Sequence, residues 1–315
     1  MNAQPSNSHF NRFPFAHTYS IVARDPETGQ MGVAVQSHWF STGSMVTWAE
    51  PGVGAIATQS MVEVSYGPLG LLKMQNGKTA PEALKALLAE DKNSDVRQVA
   101  MVDAYGNVGV HTGSRCIAEA GHHSGAQYSV QANMMLKNTV WPAMASAYEN
   151  TRGELSDRLL AALDAAQAEG GDIRGKQSAA MLIVSGEASS HPWTGIIVDL
   201  RVEDHPEPLV ELRRLLTIQR AYQSMNRGDE LLSEGKIQEA FDAYNAGAKL
   251  APQLDELPFW QAVTLADTGK IEESLPIFKR VFALNPDWAL LLQRLPQAGL
   301  FKDDPELMKR IISQA

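Results

Sequence analysis

The order of strand-like and helix-like segments is the feature that most constrains this fold. Short apolar and β-branched runs come first, followed by a pair of helix-like segments, further strand-like runs, a second helix-like pair and two last strand-like runs. A parallel sheet would need strands and helices to alternate singly along the chain. Because the helices arrive in pairs, the sequence predicts an α+β fold of antiparallel sheets covered by helix pairs.

The first two strand-like runs lie within residues 19–35 and are joined by Asp25-Pro26-Glu27-Thr28-Gly29. Proline and glycine in so short a link favour a tight turn, so these runs are predicted to form an antiparallel hairpin. A third apolar run, residues 52–59, contains small residues that let another backbone approach closely. This run is expected to join the same sheet.

Residue periodicity and turn residues assign the other segments of the first part of the chain. A helix is expected after Tyr66-Gly67-Pro68, and the capping-box spacing of Thr79 and Glu82 predicts the start of a second helix. Tyr105-Gly106-Asn107 is a hairpin signal between two β-rich runs. Further helices are expected at residues 141–150 and 155–168, and further strands at 128–131, 178–184 and 196–202.

An internal repeat marks the second part of the chain. Gly235-Lys236-Ile237-Gln238-Glu239-Ala240 recurs as Gly269-Lys270-Ile271-Glu272-Glu273-Ser274, and 269 minus 235 gives a period of 34 residues, the length of a tetratricopeptide repeat. A polar segment with two prolines, residues 203–208, precedes this helical part. We therefore predict a leader at residues 1–17, a first domain at 18–212 and an all-α tetratricopeptide-like domain at 213–315. Its helices are expected to engage a peptide or a subunit.

The composition excludes several classes of function. A net charge of −9 without a cluster of Lys and Arg argues against nucleic-acid binding. No stretch approaches the roughly 18 apolar residues that a membrane-spanning helix needs, and residues 1–16 lack the apolar core of a secretory signal. The single cysteine, Cys116, cannot form an internal disulfide, which favours a cytoplasmic location.

Thr18, at the start of the first predicted strand, is a candidate nucleophile. A hydroxyl side chain needs an activating base, and the free α-amine of the same residue can serve as one. That amine titrates near ~8 in reference peptides, close enough to neutrality to accept the hydroxyl proton. The mechanism requires cleavage of the His17–Thr18 bond. The alternative is that Thr18 opens the strand only because its β-branch favours that conformation.

Ordered blocks around Thr18 extend through the whole first domain. They include Thr18-Tyr19-Ser20-Ile21-Val22-Ala23-Arg24-Asp25-Pro26, Gly32-Val33-Ala34-Val35-Gln36-Ser37, Gly52-Val53-Gly54-Ala55-Ile56-Ala57-Thr58-Gln59, Tyr66-Gly67-Pro68, Gly170-Gly171-Asp172 and Val198-Asp199-Leu200-Arg201-Val202. Together they resemble an uncharacterised bacterial branch, a domain of unknown function, of the Ntn-hydrolase (N-terminal nucleophile) superfamily. The resemblance implies a four-layer αββα sandwich and amide hydrolysis through an acyl-enzyme, with Thr18 at the nucleophile position. It names no substrate beyond a small amide-containing metabolite.

Other polar residues are candidates for the same site. Ser20 lies on the same strand face as Thr18 and either assists it or packs. Asn133 either donates to an oxyanion or holds a loop. Asp172 and Arg174 either orient the amine and bind a substrate carboxylate, or pair with each other beside a Gly-rich turn. Strand ends add three candidate substrate contacts: Ser37, His38 and Gln59.

No cofactor or metal is expected. His111, His122 and His123 form the densest histidine group, but neighbouring residues on a strand point to opposite faces and no metal-binding spacing is present. The function predicted from sequence is an Ntn-type amidohydrolase, and self-association into a homo-oligomer is expected. The alternatives are a non-catalytic binding or scaffold protein on the same fold, and a hydrolase with another nucleophile in the same cleft.

Overall fold

The computed structural model describes residues 15–16 and 18–314. The chain divides after Arg213 into two compact units. Apart from Phe15–Ala16, the predicted leader at residues 1–17 lies outside the described residues. Each unit is described by itself.

The first unit contains the strands. They are β1 (Phe15–Ala16), β2 (Thr18–Arg24), β3 (Met31–Ser37), β4 (Thr47–Glu50), β5 (Gly54–Met61), β6 (Arg97–Asp103), β7 (Val108–Thr112), β8 (Gly121–Gly125), β9 (Tyr128–Ala132), β10 (Ser178–Val184) and β11 (Ile196–Val202). All of their pairings are antiparallel. One sheet has the order β1-β5-β6-β7, with β4 also on β5, and the other has the order β11-β10-β3-β2-β9-β8.

The hairpin of β2 and β3 is present in the second sheet, as predicted, with Thr18 opposite Ser37 and Arg24 opposite Met31. The prediction that the run at 52–59 joins this sheet is wrong, because β5 pairs with β1, β4 and β6 in the other sheet. Small and β-branched residues identify a strand, but they do not select its partner. The α+β prediction with antiparallel sheets and a C-terminal helical region is confirmed.

Helices of the first unit cover the two sheets. They are α1 (Gly43–Val46), α2 (Tyr66–Gln75), α3 (Ala80–Glu90), α4 (Val140–Asn150) and α5 (Leu155–Ala168). Helices α2 and α3 pack on β5, β6 and β7, whereas α4 and α5 pack on β2, β3, β8 and β9. At the start of α3 the predicted capping box is present, because Glu82 Oε2 accepts from the Thr79 N–H at 2.9 Å.

An apolar core fills the space between the two sheets. Val22, Val33 and Val35 of the second sheet form one buried cluster with Ala57 and Val102 of the first. Since side chains alternate along a strand, residues 18 and 20 of β2 face the same inter-sheet layer as Val22. The intervening Tyr19 and Ile21 face the opposite side of the sheet.

The remaining helices are α6 (Pro208–Ser233), α7 (Ile237–Leu250), α8 (Glu256–Asp267), α9 (Ile271–Leu284), α10 (Asp287–Arg294) and α11 (Pro305–Ile312). Helices α7 and α9 start 34 residues apart (271 minus 237) and each has 14 residues. A glycine with positive φ, Gly235 or Gly269, precedes each of them and ends the preceding helix. Among the described residues, every helix falls short of the length or the apolar character that spanning a bilayer requires.

Candidate active site

One end of the layer between the two sheets is polar. Six neutral side chains meet there and each residue is fully buried: Thr18, Ser20, Gln59, Gln98, Gln131 and Asn133. We call this group the inter-sheet polar cluster. Buried polar groups require hydrogen-bond partners, and the contacts within the cluster supply them.

The main chain of Thr18 is fixed by donors from both sheets. Its carbonyl oxygen accepts from the backbone N–H of Asn133 at 3.1 Å and from Gln59 Nε2 at 3.2 Å. Asn133 Nδ2 lies 3.5 Å from the same oxygen. Because Thr18 also opens β2 opposite Ser37, both the position and the direction of its backbone are set where the strand begins.

The hydroxyl of Ser20 is held between two amide side chains. It donates to Gln59 Oε1 at 2.6 Å and accepts from Gln131 Nε2 at 2.6 Å. Neither partner is a base, so these contacts position Ser20 without activating it as a nucleophile.

Gln98 is the centre of the cluster, and sequence reasoning missed it. Its Oε1 accepts from Gln59 Nε2 at 2.6 Å and from Asn133 Nδ2 at 2.8 Å. Its Nε2 donates to the carbonyl oxygen of Ala132 at 2.9 Å and to Thr112 Oγ1 at 2.9 Å. The signal that could have found it is a glutamine on the same face of a buried strand as Ala100 and Val102.

A second polar group lies beside the first. Arg174 Nη2 donates to Asp172 Oδ2 at 2.7 Å and Arg174 Nε donates to Oδ1 at 3.0 Å. The backbone N–H of His38 lies 3.4 Å from Asp172 Oδ2. The side chain of Asp172 is completely buried, whereas that of Arg174 is 27% exposed. His38 directly follows Ser37, the cross-strand neighbour of Thr18, so β3 connects the two groups.

Tyr19 contacts the other side of the sheet. Its hydroxyl is hydrogen-bonded to the side chains of Gln36 and Gln167. Burial raises the pKa of this phenol well above its usual value, and the negative charges of Asp172 and Asp164 add to the shift. Tyr19 therefore stays protonated and acts as a hydrogen-bond donor on the side of the sheet opposite the Thr18 side chain.

The predicted site residues thus divide between two places. Thr18, Ser20, Gln59 and Asn133 belong to the inter-sheet polar cluster, with Ser37 next to it in the β-ladder. Asp172, Arg174 and His38 form the second polar group.

Within residues 15–16 and 18–314 there is no group of three or more His, Cys, Asp and Glu residues that could hold a metal ion. His111 Nε2 contacts the carbonyl oxygen of Ser94 at 2.7 Å, and His122 Nδ1 contacts Thr112 Oγ1 at 2.9 Å. Burial lowers the pKa of His122, and His111 and His123 lower it further. Thr112 Oγ1 contacts both His122 Nδ1 and Gln98 Nε2, so it links His122 to the inter-sheet polar cluster.

The fold and the site define an α+β protein with a buried, neutral polar cluster between two antiparallel sheets. Residues 18–212 match a family of unknown function, DUF1028. The chain belongs to this family.

The crystal structure of protein SPO2555 from Silicibacter pomeroyi, described as DUF1028, is similar to this chain with 30% identity and a TM-score of 0.57, covering 64% of this chain and 88% of that one. Anbu (ancestral beta-subunit) from Yersinia bercovieri is 12% identical with a TM-score of 0.31, covering 62% of this chain and 92% of that one. No curated protein matches the chain at a significant level.

Proposed function

We propose that this chain is an amidohydrolase of the N-terminal nucleophile type that acts on a small amide-containing metabolite, with Thr18 as the nucleophile. The observation that carries the proposal is the position of Thr18. It is the first residue of β2, it is fully buried at the polar end of the inter-sheet layer, and donors from both sheets fix its carbonyl oxygen.

The packing of the first unit supports an Ntn-type four-layer sandwich. One helix pair, α2 and α3, packs on one sheet, and the pair α4 and α5 packs on the other. The two sheets share the apolar core that includes Val33 and Ala57. This succession of helices, two sheets and helices is the arrangement that the proposal requires.

The proposed reaction begins with a free α-amine on Thr18. The amine accepts the proton of the Thr18 hydroxyl as Oγ1 attacks the carbonyl carbon of the substrate, and a tetrahedral intermediate forms. The C–N bond then breaks and the proton passes to the leaving amine, which leaves an ester on Thr18. Water attacks this ester and gives up a proton to the α-amine. The bond between the acyl carbon and Oγ1 then breaks, Oγ1 takes the proton from the α-ammonium to become a hydroxyl again, and the acid is released.

Exposure of that amine needs cleavage of the bond between His17 and Thr18. Ala16 pairs with Ser60 in one sheet, whereas Thr18 pairs with Ser37 in the other. The chain therefore changes sheets between residues 16 and 18, directly beside the inter-sheet polar cluster. A cut at this point separates the two strands without breaking the ladder of β2 and β3.

The other site residues have supporting roles in this proposal. Gln59 holds the Thr18 carbonyl oxygen, and Ser20 and Gln98 in turn hold the Gln59 side chain through neutral contacts. Asn133 donates to Gln98 at 2.8 Å and lies at the longer distance of 3.5 Å from the Thr18 carbonyl oxygen, which favours a positioning role over oxyanion binding. Arg174 neutralises Asp172, so this pair stabilises the turn beside the site.

The test combines intact-mass analysis and N-terminal sequencing of the purified protein with labelling by a β-lactone, an electrophile that acylates activated hydroxyls. We expect a mature chain that begins at Thr18 and takes up one acyl group. Thr18→Ala should abolish labelling. The matched control is Thr28→Ala, which removes a threonine from an exposed turn and should leave labelling unchanged.

Two results would contradict the proposal. One is a full-length chain that is never cut and never labelled, which points instead to the binding or scaffold function. The other is labelling that persists in Thr18→Ala, which points to a different nucleophile in the same cleft. Peptide mapping of the labelled residue separates this second case from non-specific acylation.

For the second unit we propose a tetratricopeptide-like array that engages an acidic peptide or subunit. A groove of about 620 Å³ lies between α7, α8 and α9, and Lys249 and Arg280 line it. A chain of net charge −9 that places two cations in one groove favours an anionic partner. Peptide binding measured by fluorescence anisotropy should weaken in Lys249→Gln/Arg280→Gln, and equal binding by this double variant would contradict the proposal.

We also propose that the protein is cytoplasmic and forms homo-oligomers. The single cysteine, Cys116, is free, and burial raises the pKa of its thiol, which suits a reducing compartment. Sedimentation velocity of the full chain tests self-association. A single species of monomer mass at all concentrations would contradict it.

A further inference from the structure

A cavity of about 290 Å³ lies at the turn between β2 and β3. Asp25 and Glu27 of that turn line it together with Glu149 of α4 and with Arg152 and Arg158. Thr18 is at the start of β2 and Asp25 follows its end, so the length of the strand places the cavity about 20 Å from the inter-sheet polar cluster. The cavity is thus separate from the candidate active site.

Arg158 packs against Tyr148 in this cavity, and its guanidinium makes no hydrogen bond to the part of the chain that the structure describes. Its guanidinium lies 4.3 Å from the ring centroid of Tyr148, in the range of a cation–π contact. Its Nε is buried and has no hydrogen-bond partner among the described residues. Its closest approach to Asp25, from Nη1 to Oδ2, is 3.8 Å, which is longer than a hydrogen bond. A buried donor of this kind requires an acceptor, and a ligand in the cavity can supply one.

Two of the three carboxylates that line the cavity already accept a hydrogen bond from the protein. Asp25 Oδ1 accepts from the backbone N–H of Glu27 at 2.8 Å, and Glu149 Oε1 accepts from the Tyr128 hydroxyl at 2.6 Å. Glu27 is exposed at the edge. Three carboxylates and two guanidiniums therefore line one space. A ligand with a single negative group would meet the guanidiniums but leave the carboxylates opposed to it.

We propose that this cavity binds a free α-amino acid. The α-carboxylate lies on the guanidinium of Arg158, whose planar fork matches a carboxylate, and Arg152 adds a second positive charge. The α-ammonium faces Glu27 and Glu149. A zwitterion is the ligand class that pairs with both sets of charges at once, and a small amino acid fits a space of this volume. This inference does not depend on the proposed catalytic function.

Isothermal titration calorimetry on the full chain tests the proposal, with a panel of free α-amino acids that starts with L-alanine. Two further probes each have only one of the two charged groups of an amino acid. Propionate has the carboxylate, and ethylamine has the ammonium. We expect saturable binding of at least one amino acid and much weaker binding of either half. Arg158→Gln should weaken amino-acid binding by about tenfold or more, because it removes a charge-assisted pair.

Two further variants keep the test decisive. Glu27→Gln changes an exposed side chain and should weaken amino-acid binding without weakening that of propionate. The matched control is Arg213→Gln, which removes an exposed arginine paired with Asp164 and should have no effect. The proposal is overturned if no amino acid binds saturably, if propionate binds as tightly as the amino acid, or if a folded Arg158→Gln protein binds as tightly as the wild type.

Discussion

Gln59 Nε2 lies 3.2 Å from the carbonyl oxygen of Thr18, so a side chain of one sheet holds the first residue of a central strand in the other. The same nitrogen is 2.6 Å from Gln98 Oε1. Through these contacts the polar end of the inter-sheet layer acts as one hydrogen-bonded unit. Removal of any member leaves a buried partner without its bond, which makes the cluster open to mutational tests.

Two substitutions of Thr18, the proposed nucleophile, test the role of its hydroxyl separately from that of its β-branched shape. Thr18→Val keeps the β-branched shape but lacks the hydroxyl, so we expect acylation by the β-lactone to fall by about 10³-fold or more. Thr18→Ser keeps the hydroxyl and should retain much of the reaction. The rate of mass increase measures both. Equal rates for the Val and Ser variants would show that Thr18 is not the nucleophile.

Gln98→Leu tests the energetic weight of the cluster. The substitution removes the oxygen that accepts from Gln59 Nε2 at 2.6 Å and from Asn133 Nδ2 at 2.8 Å, and the loss of buried hydrogen bonds is costly. We expect the free energy of unfolding to fall by about 2–4 kcal/mol. Gln75→Leu, at an exposed position of α2, is the control and should change stability by less than about 0.5 kcal/mol. Urea unfolding measures both, and equal losses would argue against a cooperative cluster.

The chain offers a matched pair of arginines for testing a buried ion pair. Arg174 and Arg201 each pair with an aspartate two residues earlier, Asp172 or Asp199, but the Asp172 side chain is buried whereas Asp199 is 41% exposed. Arg174→Gln leaves a buried carboxylate without its cation and should cost about 1–3 kcal/mol, since the arginine itself is partly solvated. Arg201→Gln should cost less than about 1 kcal/mol. Similar thermal shifts for the two variants would contradict this expectation.

Tyr148 gives a prediction for alkaline pH. Burial raises the pKa of Tyr148 to about 12; Arg158 lowers it, and Asp25 raises it. In the unfolded chain this phenol ionises near 10. Between pH 10 and 12 the unfolded state therefore loses the proton while the folded state keeps it, so stability falls as the pH rises.

Tyr148→Phe should remove this part of the pH dependence. We expect the difference in unfolding free energy between wild type and variant to change by on the order of 2 kcal/mol across this interval. Urea unfolding at several pH values measures it. Parallel stability curves for the two proteins would contradict the assignment.

Local elements of this chain could be predicted from sequence because their signals are local. The hairpin of β2 and β3 follows from Pro26 and Gly29 in its turn, and the start of α3 follows from Thr79 and Glu82. Strand β8, Gly121–Gly125, was missed because its glycines and exposed polar residues carry no strand pattern. Its pairing with β9 is set by tertiary structure.

The site could be predicted only in part. Thr18 and Asn133 stand out through neighbouring motifs, whereas Gln98 is a single polar residue in a buried strand. Its importance depends on register, since the pairing of Gln59 with Gln98 sets them side by side. The packing of the two sheets against each other then places this pair next to Thr18. No sequence period encodes which sheets face each other.

The change of sheet between Ala16 and Thr18 has a kinetic consequence for the maturation that we propose. While the chain is continuous, Phe15–Ala16 is an intramolecular ligand of β5, present at an effective concentration that free solution cannot match. The proposed cut would remove that advantage, because the pairing of Phe15 and Ala16 with β5 would no longer be intramolecular. Maturation would then have two stages, bond cleavage followed by strand dissociation.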